Sequence, residues 1–175
     1  WIQEDGALRY ALEAKEAGKV RHIGFTAHRN YENHLRLLDL SDQWAACQMP
    51  INCLDAHFRS FQENALPQCQ ELGVGVIGMK GLAGGVLPRR LKASATLCRR
   101  YSLSLPISTM SCGIETREDL RQDLAAARNF QPLTEDEILD LLNDTKAVGE
   151  DGKFERYKTG FIFDSPLHSI QHWGV

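Results

Sequence analysis

The stretch KGLAGG, residues 80–85, sets three glycines and a lysine directly after an apolar run. Gly81, Gly84 and Gly85 let backbone N–H groups approach an anion, and Lys80 adds a complementary charge. The same composition also suits a plain turn that needs positive φ. Its spacing is neither the GxGxxG dinucleotide fingerprint nor a Walker A loop, which needs a following GK[ST]. A second segment, CGIETR at 112–117, carries related chemistry: Gly113, then Thr116 placed to cap a helix whose N-terminus attracts negative charge. A well-capped surface helix is the alternative there. Two such loops on adjacent units reinforce each other, because one pyrophosphate-containing ligand can span both.

Other polar groups carry less. His22, His28 and His34 recur every six residues but fall on a strand, a loop and a helix, so they cannot share one metal. His168 and His172 lie four apart without an intervening Glu and read as a surface pair. Asp55 and His57 could orient one another, yet no Ser or Cys nucleophile completes a triad. Asn143-Asp144-Thr145 matches a glycosylation acceptor in form, but on a predicted helix.

The elements that would position these loops follow from local pattern. Leu8, Ala11 and Leu12 share a helical face, with Asp5 as its cap and Gly18 as its stop. A strand in 20–25 leads to a helix over 31–40, capped by Asn30, with Tyr31, Leu35 and Leu38 on one stripe. A strand over 45–51 ends near Pro50, and a helix over 62–72 stops at Gly73, with Pro67 predicting a late start to its regular part. After a strand at 74–79, Ser94 caps a helix that Pro106 stops, with Leu97, Tyr101 and Leu105 on one stripe. A strand from 107 and two capped helices follow, starting after Thr116 (with Leu120, Leu124 and Ala127 at helical spacing) and Thr134. The segment from 151 shows aromatics but no clear period.

Strands beginning near 20, 45, 74 and 107, with one helix in each gap, imply parallel strands joined by right-handed crossovers. A small doubly wound sheet and half of an eight-fold barrel both fit, and in both the loops after the strands bind ligands. Those loops are TAHRN, NCLDAHFRS, KGLAGG and CGIETR.

Composition bounds the partners. The 175 residues, 43% hydrophobic and 25% charged, suffice for one domain with a core. A net charge of -3 gives no pull toward nucleic acid or an anionic membrane, and no apolar run approaches a membrane span of about 18–20 residues. Five cysteines, at 47, 53, 69, 98 and 112, are odd in number and lack the close pairing of a zinc or redox motif. A cytoplasmic location is expected, with most of these thiols as small core residues. The opening WIQEDGALRYALEAKEAGK has no initiating Met and enters a helix at once, so a longer protein is expected.

Taken in order, GALRYALEAKEAGKVRHIGFTAH, CQMPINCLDAHFRSFQENALPQCQELGVGVIGMKGLAGG, RRYSLSLPISTMSCGIETREDLRQDLAAARNFQPLTEDE and DGKFERYKTGFIFD resemble the C-terminal half of an aldo-keto reductase. They most resemble a prokaryotic oxidoreductase branch with IGFTGH-like and GMKPLGGG-like segments. The resemblance implies a (β/α)8 TIM barrel, with residues 1–150 supplying strands five to eight and the C-terminal helix, and 151–175 a tail over the barrel mouth. It implies hydride transfer between NADP(H), or alternatively NAD(H), and a small-molecule carbonyl substrate. By position it places Thr26 and Ala27 where relatives carry a Ser-Asn pair on the nicotinamide amide, and Gln48 as the glutamine on that amide. Met79 takes the place of a tyrosine stacked on the nicotinamide. Lys80, Gly81, Leu82, Gly84 and Gly85 belong to the pyrophosphate loop. Gly113, Thr116 and Arg117 belong to the adenosine-phosphate loop, with Gln122 and Asp123 near the adenine.

Departures matter as much. Ala27 lacks the Asn amide, and Gly113 and Ile114 replace the Lys and Ser of a 2′-phosphate site, leaving Arg117 as the nearby cation. The catalytic Asp, Tyr, Lys and His implied by the resemblance lie on the first four strands, and Tyr10, Tyr31, Tyr101 and Tyr157 match none of those positions. This chain alone is therefore predicted to be inactive, with the N-terminal half of the barrel as its partner. A module of a different class, binding a nucleotide or completing a barrel with another chain without catalysis, fits the same residues.

Overall fold

In the computed structural model, which describes residues 6–91 and 93–160, helices and strands alternate as the spacing predicts. Asp5, His168, His172 and the tail from residue 161 lie outside the described residues. Helix α1 (Ala7–Glu16) packs Leu8, Ala11 and Leu12 on the core and starts at Gly6. Strand β1 (Ile23–Thr26) leads to α2 (Tyr31–Leu40), whose buried face is His34, Leu37 and Leu38. Asn30 holds the cap position of α2 without a side-chain capping bond. Strand β2 (Trp44–Pro50) follows.

Helix α3 (Phe61–Glu71) contains Pro67 well inside it, contrary to the late start that proline predicts. Its first turn is held too firmly to be lost. The Asp55 carboxylate accepts from the amides of Phe61 and Gln62 at 3.0 and 2.9 Å, and Ser60 Oγ accepts from that of Glu63 at 3.1 Å. Three donors that every helix leaves unpaired are thereby satisfied, against one ladder bond that Pro67 cannot make.

Strand β3 (Gly75–Met79) passes through the glycine loop into the short α4 (Val86–Arg90), then α5 (Ala95–Ser104). Strand β4 is only Thr109–Met110, followed by α6 (Arg117–Arg128), α7 (Glu135–Gly149) and a last turn, α8 (Arg156–Thr159). The side chains of Ser94, Thr116 and Thr134 all cap their helices as predicted. Leu120 and Leu124 do share a face of α6, but among the described residues that face stays open.

The sheet order is β1-β2-β3-β4, every pair parallel. Successive right-handed crossovers that always step the same way put all connecting helices on one face. A doubly wound sheet reverses its strand order and covers both faces. Burial agrees with single winding: Ile23, Phe25, Cys47, Met49 and Val76 pack with helix residues such as Leu38, Phe61 and Leu66. On the opposite face Gly24 and Thr26 are exposed, and Ala46, Gln48 and Ile77 are half-buried. Half of a (β/α)8 barrel is therefore the arrangement, and the open face is its interior. A second cluster, built on Leu54, Leu87, Tyr101 and Leu141, lies beneath the strand-end loops, where α7 packs on the turn Asp55–His57.

His34 joins the core to the rim. Its ring is buried edge-on to Phe25 and Phe61, and Nε2 donates to the Gln48 carbonyl at 3.0 Å. A carbonyl partner requires the hydrogen on Nε2, and buried Nδ1 has no partner. Burial lowers the pKa to about 4. The unfolded chain takes up this proton near the ordinary imidazole value of 6.5, so acidification from 6.5 toward 4 favours unfolding. The loss approaches about 1.4 kcal/mol per pH unit. In urea titrations across that window, wild type should lose stability faster than His34→Gln; equal slopes would show that His34 does not titrate there.

Candidate functional site

Four loops leave the carboxyl ends of parallel strands and so gather at one rim. Thr26 ends β1 and pairs in register with Gln48, which pairs with Ile77. Met79 is two residues beyond Ile77 and therefore shares its face with Gln48. The Thr26 hydroxyl donates to Gln48 Oε1 at 3.1 Å, and the Ala27 amide donates to the Gln48 carbonyl at 3.4 Å. With Oε1 accepting from Thr26, the Gln48 NH2 is the donor end of the side chain.

The glycine loop is built from left-handed backbone. Lys80, Ala83, Gly84 and Gly85 all have positive φ, at 59°, 49°, 66° and 82°. Only two of these are glycines, and side chains in this region are strained. The loop closes on itself, with the amides of Ala83 and Gly85 donating to the carbonyls of Lys80 and Leu82 at 2.7 and 2.9 Å. At the surface of the loop Gly84 is exposed and Leu82 half-buried, whereas Gly81 is buried. Gly81 is needed for another reason than its turn. A Cβ there would run into the Met110 methyl and stand 2.8 Å from Arg99 Nη1.

The second loop meets an anion of its own. Gly113, Ile114 and Arg117 are exposed, and the Asp119 carboxylate accepts from the amides of Glu115 and Thr116 at 3.2 and 2.8 Å. Hydrogen bonds from Thr116 hold that carboxyl below the usual range. A phosphate arriving here would share the α6 N-terminus with Asp119. Gln122 stays on the surface beside Glu118, whereas Asp123 turns inward. Its two oxygens take Nε and Nη2 of Arg99 at 2.8 and 3.2 Å, a forked pair between α5 and α6 with Arg99 nearly buried. Asp123 therefore supports the buried arginine beside Gly81, which sequence reasoning missed.

Below the rim lies a polar network that the spacing did not reveal. Lys158 Nζ donates to Asp55 Oδ1 at 2.6 Å, to the Phe58 carbonyl at 2.7 Å and to Glu155 Oε2 at 2.9 Å. Tyr157 donates to Glu155 Oε1 at 2.6 Å and accepts from Asn52 Nδ2 at 3.0 Å. All five side chains are buried. Asp55 and His57 do not orient each other: Asp55 binds Lys158 and the start of α3, while His57 Nε2 lies 3.0 Å from the buried Thr145 hydroxyl. Burial, then the Glu155 charge, pushes the Tyr157 hydroxyl well above its usual range, the opposite of what a general acid needs.

Among the described residues, no group of three His, Cys, Asp or Glu is placed to hold a metal, and no helix is long and apolar enough to cross a membrane. Cys47, Cys53, Cys69 and Cys98 are buried thiols; Cys112 is half-buried.

A family model described as the aldo/keto reductase family matches residues 7–122. Two proteins of Schizosaccharomyces pombe named as aryl-alcohol dehydrogenases are each 28% identical over 100 residues, which is 56% of this chain but only 30% and 28% of theirs. Among solved structures, the holo form of an aldo-keto reductase from Bacillus halodurans superposes with a TM-score of 0.66 at 21% identity, over 80% of this chain and 55% of that one. The aldose reductase of Schistosoma japonicum gives 0.51 at 15% identity, over 88% and 53%. The chain thus spans less than a third of the curated relatives and about half of the solved barrels.

Removing the Asp123 carboxylate would leave Arg99 buried without its counter-charge. Asp123→Ala should lower stability by about 3 kcal/mol, read as a shift in urea midpoint, whereas the exposed Gln122→Ala should change it by about 0.5 kcal/mol or less. An Asp123→Ala protein of undiminished stability would refute the supporting role.

Proposed function

The chain belongs to the aldo/keto reductase family, and from that premise we propose that it forms the cofactor-binding half of an NAD(P)H-dependent oxidoreductase acting on a small carbonyl compound or the matching alcohol. The observation that carries this reading is one rim bearing both the Thr26–Gln48 pair and the left-handed glycine loop. Those groups fit a dinucleotide. Thr26, Ala27 and Gln48 would hold the nicotinamide amide, with Met79 against the ring. Lys80 and the amides of Gly81, Leu82 and Gly84 would face the pyrophosphate, with Gly85 shaping the turn, and Gly113, Thr116 and Arg117 would flank the adenosine phosphate.

When bound, the nicotinamide supplies or accepts a hydride. The chain's own residues orient it, and a carbonyl oxygen also needs a proton donor. Tyr157 is bonded to Glu155, Tyr101 exchanges hydrogen bonds with Gln62, Tyr31 packs edge-on to Phe61, and Tyr10 is exposed on α1. In this reading the acid comes from an N-terminal half that also covers the sheet's open face. That face holds a cavity of about 480 Å³ lined by Gly24, Thr26, Ala46, Gln48 and Ile77.

Titration of the 175-residue chain with NADPH, followed by nicotinamide fluorescence, should show saturable binding. Gln48→Ala should weaken it about tenfold, the equivalent of about 1.4 kcal/mol. The same preparation should consume no NADPH with a panel of aldehydes. Absent binding would overturn the cofactor assignment, and turnover would overturn the missing-acid assignment.

A further inference from the structure

Tyr157 touches the loops that follow three successive strands. Its ring stands edge-on to His28 after β1, with centroids 6.0 Å apart. Its hydroxyl accepts from Asn52 after β2, and Lys80 Nζ, after β3, lies 5.7 Å over its ring centre. We propose that Tyr157 is a positioning residue for Lys80: the ring fixes the ammonium over the rim, so that the glycine loop presents its cation already placed for an anionic phosphate.

The platform is held from its hydroxyl end. The Tyr157 hydroxyl donates to Glu155 at 2.6 Å, the other Glu155 oxygen takes Lys158 at 2.9 Å, and Lys158 reaches Asp55 at 2.6 Å. That chain ties the ring to the start of α3 through the Asp55 bonds to Phe61 and Gln62. Lys80 has a flexible four-carbon stem, and an ammonium within about 6 Å of an aromatic face is attracted by the ring quadrupole. Its own backbone is left-handed, φ 59°, which fixes where the stem departs. Ordering the side chain before a ligand arrives removes part of the cost of binding. The neighbouring charges, Asp55 and Glu155, lie at the hydroxyl end with Lys158, and the ring faces Lys80.

The identity of the anion as a dinucleotide phosphate rests on the proposed function; the placement of Lys80 does not. Two measurements separate them. With lysines dimethylated by 13C-formaldehyde, the Lys80 resonance, assigned by its loss in Lys80→Arg, should be shifted upfield by the Tyr157 ring in wild type and in Tyr157→Phe. It should move to the position of solvent-exposed lysines in Tyr157→Leu. A wild-type Lys80 signal already at the exposed position overturns the proposal, with no need for a destabilised variant. In NADPH titrations, Tyr157→Leu should weaken binding about fivefold, and this effect should vanish in a Lys80→Met background, whereas Tyr157→Phe should stay within about twofold of wild type. Additive losses for Tyr157→Leu and Lys80→Met would mean that Tyr157 acts only on the fold, and would overturn the proposal. A ring-shifted Lys80 in a protein that does not bind NADPH supports the positioning and removes the dinucleotide.

Discussion

The Asp55 carboxylate is fully buried, and a charge taken out of water costs several kcal/mol unless it is paired and hydrogen-bonded. Burial lifts its pKa to about 6, against the pull of the Lys158 ammonium. Its solution is to answer two needs at once. One is the unpaired amides at the start of α3, the other is the buried ammonium of Lys158, more than a hundred residues along the chain. Lys158 in turn answers Glu155, so two carboxylates and one ammonium share a site with no exposed side chain. Each group is tolerable only while the others stay. That mutual dependence makes the segment around α8 part of the rim rather than an appendage to it.

The consequence for the loops is directional. Asn52 follows β2 directly and spends its amide on Tyr157 and its carbonyl oxygen on the amides of Leu54 and Asp55. The start of the loop after β2, Asn52 to Asp55, is thereby fixed in the interior. The loops after β1 and β3 rest on either side of the same tyrosine. Gln48 is held at both ends: its backbone carbonyl accepts from His34 and its side-chain Oε1 from Thr26. Arg99 does comparable work under the glycine loop: with two of its nitrogens held by Asp123, its third crowds the space where Gly81 would carry a side chain.

What was legible in the sequence is what depends on near neighbours. The helix over 31–40 was legible because its periodic residues and its flanking turn lie in one short window, although the face it buries is His34, Leu37 and Leu38 rather than the stripe of Tyr31, Leu35 and Leu38. The caps at Ser94, Thr116 and Thr134 were readable for the same reason. Periodicity did not choose between a doubly wound sheet and a half barrel, since strand order is a long-range property that the same alternating pattern serves equally; the resemblance of the ordered segments did choose, and the half barrel it implies is the one found. Pro67 misled because the bonds that hold the first turn of α3 come partly from Asp55, outside the helix. FERYKTG showed no period because α8 is a single turn whose burial comes from charges distant in sequence. Arg99 was hidden among the apolar stripe of α5, where the only clue is a charged residue beside Cys98 and Tyr101 on a buried face.

The same network bears on where chemistry can occur. Asp55, Tyr157, Lys158 and His28 reproduce, by residue type, the Asp, Tyr, Lys and His that the family resemblance implies for catalysis, and they lie together near the rim. Type is not function. A tyrosine that gives up a proton to a carbonyl needs its hydroxyl facing the substrate and a cation close enough to stabilise the phenolate. Here the hydroxyl faces a carboxylate, and the Lys158 ammonium is turned onto Asp55, Glu155 and the Phe58 carbonyl instead. The electrostatic sign is reversed: a negative neighbour and burial raise the phenol pKa where a cation would lower it. What the arrangement does offer is an aromatic face toward Lys80 and a fixed edge toward His28. A ring whose hydroxyl is locked and whose face is presented acts as a surface to lean on and is not set to deliver a proton.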